Sequence, residues 1–237
     1  MTGIGDIHTH IIPAVDDGAA SFDEAYRILE DEISQGVERI MLTPHYRTGM
    51  FETPENEIYV KAKQLIMEAQ SRYPMLEVKL GCEFHAVMDM EKKLKERRFS
   101  TLNQSSVLLL EFSARHTKSF VKERCMTALS EGYSLVLAHI ERIPALAENF
   151  DFIHELKRHG IMMQINADSV LGTYGRAVKS LCSKFIKAGF IDFIASDVHN
   201  MTSRRSNIGK CADFVEKKYG TEYAERIFVE NPKMLFD

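Results

Sequence analysis

The stretch GDIHTHIIPAVDDG, residues 5–18, sets two histidines one residue apart at the end of an apolar run and follows them with two aspartates. In a strand, alternate side chains share a face, so His8 and His10 look the same way. Taken alone, the stretch is either a solvated strand carrying two polar side chains or half of a metal site. The segments that follow decide between these readings.

Short apolar runs recur along the chain: IGDIHT (4–9), ERIMLT (38–43), EVKLGC (77–82), SVLLLEF (106–112), SLVLAH (134–139), IMMQIN (161–166) and DFIAS (192–196). Amphipathic segments separate them. In SFDEAYRILEDEISQG, Ser21 is the expected N-cap, Glu24 stands three residues on and Gly36 is the expected stop. SFVKERCMTALSEGY and GRAVKSLCSKFIKAGF follow the same plan, ending at Gly132 and Gly189. Strand–helix alternation predicts parallel strands with helices outside. The expected fold is α/β: a distorted TIM-like barrel of about seven parallel strands with outer helices, in one domain over residues 1–237. The competing doubly wound sheet usually carries G-x-G-x-x-G after its first strand, and HTHIIPAVDDG does not match it.

Composition narrows the class. Apolar residues make up 45% of the 237 and charged residues 27%, ordinary for a globular protein. A net charge of −4 gives no hint of the basic face that nucleic-acid binding usually needs, so no nucleic-acid partner is expected. The first ten residues lack a signal-peptide pattern, and the longest apolar runs are far short of a membrane span, so no membrane insertion is expected. Cys82, Cys125, Cys182 and Cys211 are widely spaced without C-x-x-C, which predicts reduced, buried thiols in a cytoplasmic protein. None has an arginine six residues on, which excludes a cysteine-based phosphatase.

Parallel barrels build active sites at the C-terminal ends of their strands. Those ends carry His8 and His10 with Asp16 and Asp17, then His45, Glu83, Glu111, His139 with Arg142 nearby, and finally Asp197 and His199. The sixth strand ends on Asn166. One histidine at a strand end is usually a hydrogen-bonded rim residue. Six of seven ends bearing imidazole or carboxylate are a metal site, because clustered buried carboxylates need neutralising. The donors exceed what one ion takes. They imply two or three divalent ions with bridging carboxylates, and mixed N/O donors suit Mn²⁺, Fe²⁺ or Zn²⁺ better than Mg²⁺ or Ca²⁺. Such clusters activate water for in-line displacement. Arg142 and Arg204, close to the ligands in sequence, point to a phosphate ester.

DIHTH, His45, GCEF, LLLEF, AHIER and ASDVHN together resemble the PHP (polymerase and histidinol phosphatase) superfamily, and DIHTHIIPAVDDG, GMFETP, AHIER and SDVHN resemble its bacterial CpsB/YwqE-type branch. The likeness runs from Asp6 to the ENP at 230–232. It implies a PHP fold and a manganese-preferring protein-tyrosine phosphatase of capsular and exopolysaccharide systems, acting on the phosphotyrosines of a partner kinase. It also implies a ligand scheme. His8, His10, Glu83 and Asp197 hold a first metal; Glu83, Glu111 and His139 a second; Asp17, His45 and His199 a third. Arg142 and Arg204 grip the phosphoryl group, with Arg205 a rival to Arg204, and Asp17 or His45 donates the proton. His85 is expected at the rim and Asp16 as a loop brace. The alternatives are a histidinol-phosphate-type small-molecule phosphatase and a non-catalytic binding module.

Overall fold

The computed structural model describes residues 1–237. Its strands are β1 (Ile4–Thr9), β2 (Val37–Leu42), β3 (His45–Tyr46), β4 (Glu77–Leu80), β5 (Glu83–His85), β6 (Val107–Glu111), β7 (Ser134–Leu137), β8 (Met162–Asn166) and β9 (Phe193–Ala195). Every pairing among them is parallel. They form two ladders, β1–β2–β4 and β3–β5–β6–β7–β8–β9. A parallel bridge from Thr9 to Val198 joins the two ends: His10 N–H donates to Val198 O at 2.8 Å and Asp197 N–H to His8 O at 2.9 Å.

The two strands expected at 38–43 and 77–82 each break and resume. β3 follows β2 across Thr43–Pro44, and β5 follows β4 across Gly81–Cys82. Beyond the break β5 pairs with β6; before it β4 does not. Leu102, from a short 3₁₀ turn, fills that gap so closely that a Cβ on Gly81 would lie 2.6 Å from its side chain. This wedge is what distorts the barrel.

Helices cover the outside. Ser21 caps the helix Phe22–Ser34 through its hydroxyl, accepting from Glu24 N–H at 3.2 Å, while the Glu24 side chain accepts from Ala20 N–H at 3.0 Å. Gly36 then takes a positive φ of 91°, which suits glycine. Most of the buried apolar side chains lie between barrel and helices. A smaller cluster, including Ile7, Met41, Leu109, Val136 and Phe193 with Leu235 and Phe236, fills the barrel interior. The four cysteines are buried and free. No helix is long and apolar enough to cross a membrane.

The first strand is irregular where the site begins. Asp6 is in register with Ile40 and Thr9 with Leu42, so three steps on β1 face two on β2. Ile40 and Leu42 belong to the helix-facing core, whereas Ile7 belongs to the interior cluster. The bulge therefore lets His8 join His10 at the barrel mouth and leaves Asp6 in the helix-facing layer.

Candidate metal centre

All nine expected ligands converge above the interior cluster. Their donor atoms form four overlapping groups: His8, His10 and Asp197; His8, Glu83 and His139; His45, Glu83 and Glu111; His10, Asp17, His45 and His199. Within each group the atoms lie within 4.8 Å of one another. Glu83 is the hub. Its Oε1 is 2.7 Å from His139 Nε2 and 3.3 Å from His8 Nε2, and its Oε2 is 2.8 Å from His45 Nδ1 and 3.4 Å from His10 Nε2. Asp197 Oδ1 lies 3.6 Å from both His8 Nε2 and His10 Nε2. Asp17 Oδ1 is 3.4 Å from both His45 Nε2 and His199 Nε2. Glu111 Oε1 stands 3.9 Å from His139 Nε2. Donors about 2.1 Å from one ion sit about 3.0–3.4 Å apart; the 3.3 and 3.4 Å spacings match such edges, and the shorter and longer ones bracket them.

Hydrogen bonding from behind fixes the imidazoles. Nδ1 of His8 faces Gln164 Oε1 at 3.3 Å, Nδ1 of His10 faces Asp16 Oδ2 at 2.8 Å, and Nδ1 of His199 faces the Asp197 carbonyl at 2.9 Å. Three acceptors thus hold the proton on Nδ1 and leave Nε2 for a cation. The residues fit metal by a second test: His45 Nδ1, His199 Nε2 and Glu83 Oε2 are buried with no well-formed hydrogen bond, the 2.8 Å approach of His45 Nδ1 to Glu83 Oε2 included. Orphaned buried polar atoms are costly unless something binds them.

The electrostatics are those of a site built for cations. Burial by itself lowers the pKa of His8, but Glu83 and Asp197 outweigh it and lift it to about 9. Burial likewise opposes charge on His45, yet Glu83 and Asp17 raise it to about 11. The His199 and His45 imidazoles beside it hold the Asp17 carboxyl well below the usual carboxylate range. Burial raises the Asp197 carboxyl, but His8 and Arg142 overcome this and hold it low.

Two of the expected ligand residues have left-handed backbones, His139 with φ 33° and Asp197 with φ 57°. Non-glycine residues are rare there, and such strain gathers at functional sites. Both arginines close on Asp197: Arg142 Nη1 donates to Oδ2 at 3.0 Å, and Arg204 Nη2 to Oδ1 at 3.1 Å. Arg204 Nη1 also reaches Asp17 Oδ2 at 3.2 Å. Arg205 turns away to Asp31, whereas Arg204 faces the carboxylates of Asp17 and Asp197. Asp16 accepts from Gly18 N–H and His45 N–H, both at 2.9 Å, and so holds the loop. His85 meets Glu111 Oε2 at 2.8 Å.

Several contributors were not anticipated from sequence. Gln164, besides facing His8, accepts from His139 N–H at 2.7 Å. Its signal was a polar residue in the apolar run IMMQIN, two before Asn166. Asn166 donates to Asp197 at 2.7 Å. Tyr174 accepts from Arg142 at 3.2 Å, and Phe51 stacks on His45 with ring centroids 4.9 Å apart; both sit in loops with no periodic pattern to expose them.

Comparison with known proteins agrees with this geometry. Residues 4–237 match the family model described as capsular polysaccharide synthesis, CpsB/CapC. The chain belongs to the CpsB/CapC family. Within it, the chain is 34% identical over 235 residues to the tyrosine-protein phosphatase CpsB of Streptococcus pneumoniae, covering 97% of each. It is 29% identical to the tyrosine-protein phosphatase YwqE of Bacillus subtilis, covering 97% of this chain and 90% of that one. A solved structure from work on YwqE and CpsB, described as unique metal-dependent tyrosine phosphatases, superposes with a TM-score of 0.88 at 29% identity, over 98% of this chain and 93% of that chain. The CpsB/CapC fold is therefore the α/β barrel described above.

Proposed function

We propose that this CpsB/CapC member is a metal-dependent protein-tyrosine phosphatase, a phosphoric monoester hydrolase, in which residues 1–237 work as one domain. The observation that carries the reading is the convergence of Arg142 and Arg204 on Asp197 at the edge of the ligand cluster. A phosphoryl group there meets two guanidiniums, the side chains best suited to its oxygens.

His8, His10, Glu83 and Asp197 would hold one ion; Glu83, Glu111 and His139 a second; Asp17, His45 and His199 a third. Mn²⁺ is the proposed metal, with Fe²⁺ or Zn²⁺ as the competitors for the same N/O donors. Divalent ions, when bound, lower the pKa of water and neutralise phosphoryl charge. The chain's own residues do the rest. Arg142 and Arg204 bind and orient the phosphoryl oxygens and stabilise charge that grows on them. Tyr174 steadies the Arg142 guanidinium by hydrogen bond and by its ring, 5.2 Å away. Asp17 is held ionised, so it acts as ligand and as anchor for Arg204 rather than as proton donor. A tyrosine phenolate, with a pKa of roughly 10, leaves without the strong acid a serine alkoxide requires.

The proposed substrate is a phosphotyrosine protein, the tail of a cognate bacterial tyrosine kinase governing capsular or exopolysaccharide synthesis, met in the cytoplasm. Turnover of phosphotyrosine peptide, phosphoserine peptide and histidinol phosphate, each with and without Mn²⁺, tests the reading. The phosphotyrosine peptide should be preferred, and only with metal. Preference for histidinol phosphate moves the protein to the small-molecule class; no turnover by metal-loaded protein ends the enzyme reading.

A further inference from the structure

Asp6 is fully buried in the layer between barrel and helices, and no cation pairs with it. A position facing helices at a strand's outer side ordinarily takes an apolar residue, and an unpaired buried carboxylate is expensive. What the carboxylate does is accept backbone N–H groups. Its Oδ1 takes His8 N–H at 3.2 Å and Ser196 N–H at 3.1 Å, and Oδ2 lies 3.3 Å from the same Ser196 nitrogen. One amide lies on β1 and the other immediately follows β9, the two strands that meet where the barrel closes. One belongs to a metal ligand, His8; the other immediately precedes a second, Asp197.

We propose that Asp6 is a positioning residue for the metal centre, tying the bulged strand that presents His8 to the segment that presents Asp197. This rests on reading the cluster as a metal site. Three features make the tie specific. The bulge at residues 6–9 needs something to hold its extra residue, and the Asp6 carboxylate does so through the His8 amide. Ser196 continues the chain of contacts, its hydroxyl accepting from Val198 N–H at 3.1 Å across the left-handed Asp197. On the far side of the tie, Asp197 N–H donates to His8 O at 2.9 Å, so the two ligand residues are stitched twice. The result is a His8 Nε2 to Asp197 Oδ1 separation of 3.6 Å, close to a coordination edge.

The test compares wild type with Asp6→Asn, which keeps an acceptor oxygen in place, and Asp6→Leu, which fills a similar volume without one. Mn²⁺ affinity is measured by competition with a fluorescent chelator. Hydrogen exchange at the His8 and Ser196 amides is measured in the metal-free protein. The leucine variant should bind Mn²⁺ about 10- to 100-fold more weakly, the range for lost outer partners of ligands, and both amides should lose protection. The asparagine variant should stay close to wild type in both. Wild-type affinity and protection in the leucine variant, or equal losses in both variants, overturn the proposal. Should the leucine variant not fold, Asp6→Glu moves the acceptor by one methylene and gives the same contrast: weaker Mn²⁺ binding supports the tie, and wild-type affinity overturns it. Wild-type protein that takes up no Mn²⁺ refutes the metal reading instead, and the amide exchange still judges the tie.

Discussion

Arg142 and Arg204 converge on one carboxylate: Arg142 donates to Asp197 Oδ2 at 3.0 Å, and Arg204 Nη2 spans Oδ1 at 3.1 Å and Oδ2 at 3.2 Å. A carboxylate that serves a metal has less charge to share with two guanidiniums, which frees them for a phosphoryl group. Arg142→Ala and Arg204→Ala should each lower kcat/KM on a phosphotyrosine peptide by about 10²- to 10³-fold, as for other transition-state donors. Elemental analysis of the same samples should show unchanged metal. Kinetics within a few-fold of wild type would remove either arginine from the mechanism.

Glu83 touches four imidazoles, those of His8, His10, His45 and His139. No other ligand links as many. Glu83→Gln should therefore release more metal than replacement of Glu111 or His45, and leave less than about a hundredth of the activity. Metal stoichiometry across the three variants, read beside their turnover, ranks them directly.

Protons and metal compete for the same imidazoles. In the metal-free protein His8 has a pKa of about 9 and His45 of about 11, so both carry protons at pH 7 that a cation must displace. Apparent Mn²⁺ affinity should rise with pH, by up to about tenfold per unit for each proton released. Calorimetry in buffers of different ionisation enthalpy counts those protons. The metal-free fold responds in the opposite sense. A folded pKa above the unfolded value gives stability that is complete below about 6.5 and is lost as pH rises through about 9. Its Tm should fall between pH 7 and 9.5, while the metal-loaded Tm holds.

Glu32, on the first helix, is fully buried, and neither of its oxygens has a well-formed hydrogen bond. Burial, with Asp6 nearby, pushes its carboxyl well above the usual value. The folded state then binds the proton more tightly than the unfolded chain, so stability declines as pH climbs from about 4.5 toward the folded pKa. Glu32→Gln does not titrate. It should be more stable than wild type at pH 8, by about 1.4 kcal/mol for each pH unit by which the fold holds the Glu32 proton more tightly, and by less at pH 5. Urea melts at the two pH values measure the difference.

The strand ends were legible in the sequence because period two and strand–helix alternation fix which residues reach a barrel mouth. His8, His10, Glu83, Glu111, His139, Asp197 and His199 followed from that rule, and the likeness of the surrounding motifs to a known family sorted them into groups. The breaks after Leu42 and Leu80 were not legible, because the Leu102 wedge that accompanies them comes from a distant turn. Asp6 was hidden for a related reason: strict alternation would put it on the face of His8 and His10, and only the bulge sends it to the other side. Tyr174 and Phe51 lie in loops, where chain direction depends on neighbours rather than on local pattern.

The left-handed backbones at His139 and Asp197 set a limit on how far this protein can be improved. At both positions glycine relaxes the chain, and strain of this kind is worth about 1–3 kcal/mol. Any redesign scored on thermal stability alone is drawn toward glycine there, and each such choice deletes a proposed ligand. Selection for robustness and selection for turnover pull in opposite directions at these two residues, so a thermostabilised variant that keeps its activity must find its gains elsewhere in the chain.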